Sequence, residues 1–300
     1  MTRRLELTPT APFNFEHSLS VLAKSQAHGV RRTIQEAMLR FALPSPNGPV
    51  AAKLRPLGSL DSPKLELSLH ASQNLTEAET AYLAKQVRFH LSLDDDLRPF
   101  YEQAAADPAF APVLKALFGY HQVKFPSVFA CACWALVTQR TPNSFAFKTM
   151  AALSEHLGGQ VEHGGAVYTT FPEPADFLTE DAPAAILAAT NNTRKTERLL
   201  PIAEAFARAD NGFLRTAPYA EVAKWLSAVH GLGAWSVDYI MLRGLGRFER
   251  SPWTDTWLIE AISRVYTGGL TISRGDARAL AERYGWYQGL WVHYLKTYLW

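Results

Sequence analysis

Leu226-Ser227-Ala228-Val229-His230-Gly231-Leu232-Gly233-Ala234-Trp235-Ser236-Val237-Asp238-Tyr239-Ile240 is the stretch that decides the fold. Val222, Leu226 and Val229 recur at helical spacing on one stripe. The stripe ends at Gly-x-Gly, and a second helical run starts immediately. Two helices joined this way make a tight hairpin. Backbone N–H groups at the start of the second helix point outward and can hold a phosphate. Glycine suits both the turn and the close approach of a phosphodiester. An ordinary turn between two helices uses glycine too, so both readings stand. At about 100° per residue, Trp235 and Tyr239 share one face of the second helix, with Val237, Ile240 and Met241 roughly opposite. The aliphatic face is the natural core side; the aromatic face lines a cavity or joins the core.

Downstream runs Arg250-Ser251-Pro252-Trp253-Thr254-Asp255-Thr256-Trp257-Leu258. Asp255 precedes a new apolar stripe, Leu258, Ile262 and Val265, which is the place of a helix N-cap. A carboxylate there is kept ionised by the helix dipole and backbone donors. It is a simple cap, or a charge held ready for chemistry.

Around this centre the chain mixes patterns. Leu5-Glu6-Leu7, Val50-Ala51-Ala52-Lys53-Leu54 and 64–70 alternate as strands, with turn chemistry at 44–49. Segments 15–24 and 75–89 read as helices. Residues 1–90 are therefore expected to form a small antiparallel-sheet α+β domain, and 91–300 an all-α domain. Helices are predicted at 126–139, 142–157, 181–189, 194–209, 218–228, 234–244, 256–266, 275–283 and 286–299. Glycines at 158–159 and 164–165 flank a loop or short hairpin.

Composition excludes several classes. At 300 residues, 48% hydrophobic and 19% charged, the chain is globular in character. Thirty basic against 28 acidic residues, a net of +2, exclude a strongly cationic coat. Residues 191–300 carry 14 basic and 10 acidic side chains, so the positive excess lies in the half with the hairpin. The longest apolar stretch, Val128 to Val137, is far short of the ~18 residues that span a membrane. No apolar run follows the N-terminus, so a cytoplasmic location is expected, on the nucleoid if the source is bacterial. Cys131 and Cys133 sit two apart on a helix and point apart, as buried small hydrophobes do. None of the nine histidines forms a His-x-x-x-His pair, so metal catalysis is not supported.

Taken together, Gly231-Leu232-Gly233-Ala234-Trp235-Ser236-Val237-Asp238-Tyr239, with Asp255 22 residues after Gly233, resembles the helix-hairpin-helix DNA glycosylase superfamily. Within it, Trp235 and Tyr239 are similar to the 3-methyladenine DNA glycosylase II branch; the bifunctional branch has a catalytic lysine where this chain has Trp235. The likeness extends to Phe125–Leu153, Asn191–Ala207 and the aromatic C-terminus 286–294. It implies an N-terminal α+β domain followed by a helix-hairpin-helix glycosylase domain. It implies a monomer that excises alkylated bases from double-stranded DNA without nicking the strand.

By that resemblance Asp255 is the catalytic carboxylate, and Trp235, Tyr239 and Trp253 form the base pocket. Val229, His230, Gly231, Leu232, Gly233 and Ala234 bind DNA, and Gln139 and Arg140 fill the gap left by the flipped nucleotide. No cofactor is required; a structural Na+ or K+ on the carbonyls of Ser227, Val229 and Leu232 is implied. Three positions depart from the family. His230 replaces a common proline, Arg140 replaces an aliphatic wedge, and Leu295 falls where a pocket tryptophan is expected. Two alternatives remain. A bifunctional glycosylase/lyase for oxidised bases needs an amine near the hairpin, where Lys224 and Arg243 are the nearest cations. A non-enzymatic DNA-binding hairpin explains the glycines but not Trp235, Tyr239 and Asp255 together.

Overall fold

The computed structural model describes residues 1–255 and 257–300. The N-terminal part is a five-stranded antiparallel sheet formed by β1 (Thr2–Leu7), β2 (Thr33–Gln35), β3 (Met38–Leu43), β4 (Val50–Pro56) and β5 (Leu65–His70). The strand order is β1-β5-β4-β3-β2, and β1 pairs with β5 from Thr2↔His70 to Leu7↔Leu65. Period-two alternation sets the faces: Leu65, Leu67 and Leu69 of β5 are buried in the core. Helix α1 (Phe15–Lys24) and helix α2 (Glu77–His90) accompany the sheet. Thr76 starts α2 with a capping box, its hydroxyl accepting from Glu79 N and its own N–H donating to the Glu79 carboxylate. Strands β2 and β3 were not anticipated from the sequence.

Helices α3 (Arg98–Ala105), α4 (Ala111–Ala116), α5 (Val128–Val137), α6 (Asn143–Leu157), α7 (Ala182–Thr190), α8 (Thr193–Ala207), α9 (Asn211–Thr216) and α10 (Tyr219–Ala228) follow. The glycines at 158–159 and 164–165 frame a hairpin of β6 (Gln160–His163) and β7 (Ala166–Thr169). Every residue of α5 is buried, which makes it the central rod of this part. Both cysteines are free and fully buried on it, and burial pushes their thiols up. Among the described residues no cluster of His, Cys, Asp and Glu could hold a metal.

The second hairpin helix is shorter than expected. Helix α11 (Ala234–Tyr239) passes into a π-helical segment, Ile240–Leu245, that ends at Gly246 with φ 71°. Gly244 faces the Cys131 side chain; a Cβ there would lie 3.1 Å from Cys131 Cβ. The remaining elements are α12 (Trp257–Tyr266), α13 (Arg274–Glu282) and α14 (Gln288–Tyr298); Thr256, the expected first residue of α12, lies outside the described residues.

The buried side chains form two clusters. One unites the sheet, α3 and α4 with α12, α13 and α14. The other gathers α5, α6, α7, α8, α10 and α11. Buried Asp107 ties the first together, accepting from Tyr266 Oη at 2.6 Å and Tyr284 Oη at 2.9 Å. No helix of the described residues is long and apolar enough to cross a membrane.

Candidate active site

A cleft of about 940 Å³ opens where the hairpin, the end of α5 and the start of α6 meet α14 and the loop before α12. Its lining contains Gln139, Arg140, Gly231–Ser236, Tyr239 and Asp255. Gln139 and Asp255, 116 positions apart in the chain, thus share one space.

Gly231 sits at φ +100°, a conformation that disfavours any side chain. Gly233 differs. Its φ of −85° and ψ of 177° are ordinary extended backbone, and a Cβ there would meet nothing within 4 Å. The turn therefore requires glycine at 231 and not at 233; open space in front of Gly233 leaves room for a ligand. Gly233 provides no side-chain cap to α11, so the first N–H groups of that helix are available. His230, Gly233 and Ala234 are exposed, whereas Val229 and Leu232 are buried and anchor the hairpin in the second cluster. The Val229 carbonyl accepts Leu232 N–H at 3.1 Å. The Ser227 carbonyl lies in the last turn of α10, the Val229 carbonyl at its C-cap and the Leu232 carbonyl in the hairpin turn; as neutral oxygen donors they suit a monovalent cation.

Val237, Ile240 and Met241 are buried, as their face predicts. Trp235 and Tyr239 are only partly buried and stack at 5.0 Å with 25° between planes. They line the cleft and do not fill the core. Burial pushes the Tyr239 phenol up to about 12. Asp255 is both cap and cleft residue. Its Oδ1 accepts Trp257 N–H at 3.1 Å at the head of α12, and its Oδ2 lies 3.7 Å from Lys296 Nζ. Asp238 accepts Thr254 Oγ1 at 2.8 Å, which ties α11 to the loop that presents Asp255.

The two wedge residues separate. Gln139 Nε2 donates to Gly231 O at 3.0 Å and Ser236 Oγ at 3.2 Å, so this side chain braces the hairpin. Arg140 is exposed at the cleft with φ +52°, in the left-handed region. Lys195 of α8 holds the turn beneath it, donating to Val137 O and Thr141 Oγ1. Trp253 does not join the cleft lining. It packs against the first cluster with Arg278 over its ring at 5.6 Å, because the loop turns between 253 and 255. Leu295 is fully buried in the core, so this position lends no aromatic wall; the cleft instead meets His293 of α14 and Trp300 just beyond it.

A relative from Bacillus subtilis (strain 168), a DNA-3-methyladenine glycosylase, is 24% identical over 234 residues, 77% of this chain and 76% of its own. A 3-methyladenine DNA glycosylase from Archaeoglobus fulgidus superposes over 98% of both chains, with TM-score 0.80 and 19% identity. The chain shares the fold of that glycosylase. An 8-oxoguanine glycosylase/lyase from Clostridium acetobutylicum shares the fold over 99% of this chain and 98% of its own, with TM-score 0.70 and 17% identity. No family model matches.

Several groups in this glycosylase-fold cleft escaped the sequence reading. Trp134 and Phe147 stack at 5.2 Å on its wall. Arg198, Arg243, His293 and Lys296 line it as well. The i, i+3 spacing of His293 and Lys296 put them on one face of α14, but nothing local aimed that face at the hairpin.

Proposed function

We propose that this protein is a DNA glycosylase that excises alkylated purines from duplex DNA by hydrolysis alone, as a monofunctional enzyme. One observation carries the reading: Asp255, the stacked Trp235–Tyr239 pair and the start of α11 share a single cleft. Backbone donors from Gly233 and Ala234 bind phosphate; the carbonyls of Ser227, Val229 and Leu232 would hold a monovalent cation that offsets its charge. The damaged nucleotide leaves the stack and Arg140 occupies the gap. Trp235 and Tyr239 stack on the base and favour positive charge by about 0.5–2 kcal/mol per contact.

Alkylation at N3 or N7 makes the base a cationic leaving group. It departs as a neutral molecule with the glycosidic electron pair, so no general acid is needed. Asp255 stabilises the oxocarbenium-like sugar and orients the water that adds at C1′ and gives up a proton. The name of the Bacillus subtilis relative supports the alkylated-base assignment.

A second reading, strand cleavage through an amine, rests on Lys296 in the cleft, its pKa lowered by burial. Its pairing with Asp255 opposes that shift and favours the protonated amine, which is no nucleophile. Incubation with methylated duplex DNA separates the two. Hydrolysis alone releases methylated bases and leaves strands that break only after alkali. Borohydride trapping of a protein–DNA adduct would establish the lyase.

A further inference from the structure

A narrow cavity of about 30 Å³ lies at the seam between the two buried clusters, away from the cleft. Phe41 and Leu43 line it from the first cluster and Phe171 from the second. Arg32 and His90 bring polar groups to it. Arg32 Nη1 donates to His28 Nδ1 at 2.9 Å and its Nη2 donates to Ser25 O, both neutral acceptors. No ion pair among the described residues includes Arg32. Burial lowers its pKa to about 10, the direction for a desolvated cation with no carboxylate beside it. Glu173 also borders the cavity, but its carboxylate accepts from the backbone at the head of the short helix Pro174–Leu178. Burial keeps the His28 and His90 rings neutral. His28 accepts at Nδ1, so its proton is on Nε2; neither that atom nor His90 Nδ1 has a hydrogen-bond partner. Pro126 and Ser127, which lead into α5, border the cavity too. A helix start carries partial positive charge and N–H groups without helical acceptors.

A buried guanidinium is costly unless an anion pairs with it. His28 and Ser25 use two of the five N–H donors of an arginine, and the rest can serve a ligand. A cation, an unpartnered imidazole and a helix N-terminus thus converge on one space. At roughly 10–15 Å³ for each water-sized particle, that space suits a small ion and excludes a phosphate ester. We infer that the cavity binds one monovalent anion of chloride size, held by Arg32 in a charge-assisted contact. Arg32 also borders an open groove of about 840 Å³, which gives ions a way in. Ser25, which Arg32 holds, lines the cleft, so the anion braces the cleft wall from behind.

The test follows thermal melting of the intact protein at neutral pH while sodium chloride replaces sodium gluconate at constant ionic strength, which holds screening fixed. Wild type is expected to gain about 2–4 °C and then saturate, the scale for an anion at roughly ten times its dissociation constant. Arg32→Met keeps an apolar stem, removes the charge and is expected to lose that gain. Should the variant fail to fold, crystals of wild type grown in sodium bromide locate the anion without a substitution, by an anomalous peak expected beside Arg32. Equal melting of wild type in the two salts would overturn the inference. So would an equal gain in Arg32→Met, which marks a surface salt effect. A bromide peak without a saturable gain would be binding at crystal concentration only, and would overturn it as well.

Discussion

Asp255 holds two partners that want different things from it. The Trp257 N–H needs an acceptor of any charge, whereas Lys296 and, in the proposed reaction, a developing cation at C1′ need the negative charge. Asp255→Asn keeps the acceptor, since Asn caps about as well as Asp. The ion pair with Lys296 is partly exposed and stabilises little. Melting is therefore expected to change little, while single-turnover excision falls on the order of a hundredfold or more. Near-wild-type excision by a folded variant would reduce Asp255 to a cap. The two hairpin glycines make a paired experiment. Gly233→Val meets open space at an ordinary backbone angle, so stability is expected to hold while binding to an abasic-site duplex weakens. Gly231→Val imposes a left-handed conformation, disfavoured by about 1–2 kcal/mol, and is expected to lower the melting temperature as well. Tight DNA binding by Gly233→Val would remove the hairpin from the DNA contact.

On the proposed reading, the turn after α5 meets the duplex. Its end is secured twice, by Gln139 on the hairpin and by Lys195 on Val137 O and Thr141 Oγ1. Between these anchors only Arg140 projects freely. A wedge matters where a stacked base must be replaced. Arg140→Ala is thus expected to reduce excision from duplex about tenfold more than from single strands, by the scale of one lost stacking contact of ~1–3 kcal/mol. Equal losses on both substrates would identify a plain phosphate contact. The resemblance gives Gln139 and Arg140 one shared role, that of a wedge. The brace and the projecting residue became distinct only when the hairpin folded back against Gln139.

Across the whole molecule, the buried histidines link the two clusters to solvent pH. His28 and His90 lie 5.4 Å apart between rings, and burial lowers both pKa values, that of His90 to about 4. His121 and His293 are lowered as well. In the unfolded chain each titrates near 6.5. Above that value both states are neutral and the folded state keeps its full stability. As pH falls below 6.5 the unfolded chain takes up protons that the folded one refuses, so stability is lost toward pH 4. Each such histidine contributes a slope of about 1.4 kcal/mol per pH unit. Denaturant midpoints are expected to fall between pH 7 and 5, and His90→Gln, which cannot titrate, to fall less steeply. Parallel curves for the two proteins would show that His90 titrates alike folded and unfolded.

What the sequence by itself determined is local. The Gly-x-Gly hairpin, the opposed faces of Trp235–Tyr239 and Val237–Met241, and the placement of Asp255 at a helix head all follow from periodicity and punctuation within a few turns. Most helices of 126–299 were legible for the same reason. The short α3, α4 and α9 and strands β2 and β3 were not, since three to eight residues hold too little pattern. Only the tertiary structure placed Trp253 outside the cleft and Arg243, His293 and Lys296 inside it. Trp291, Tyr294 and Leu295 bury α14 against Phe100, Phe110 and Tyr120, and that packing turns the opposite face of α14 toward the hairpin. These contacts join residues some 170 to 195 positions apart, and they are set by how two apolar surfaces fit. Spacing along a single helix specifies which side chains share a face; the surface that buries the other face decides what that face meets.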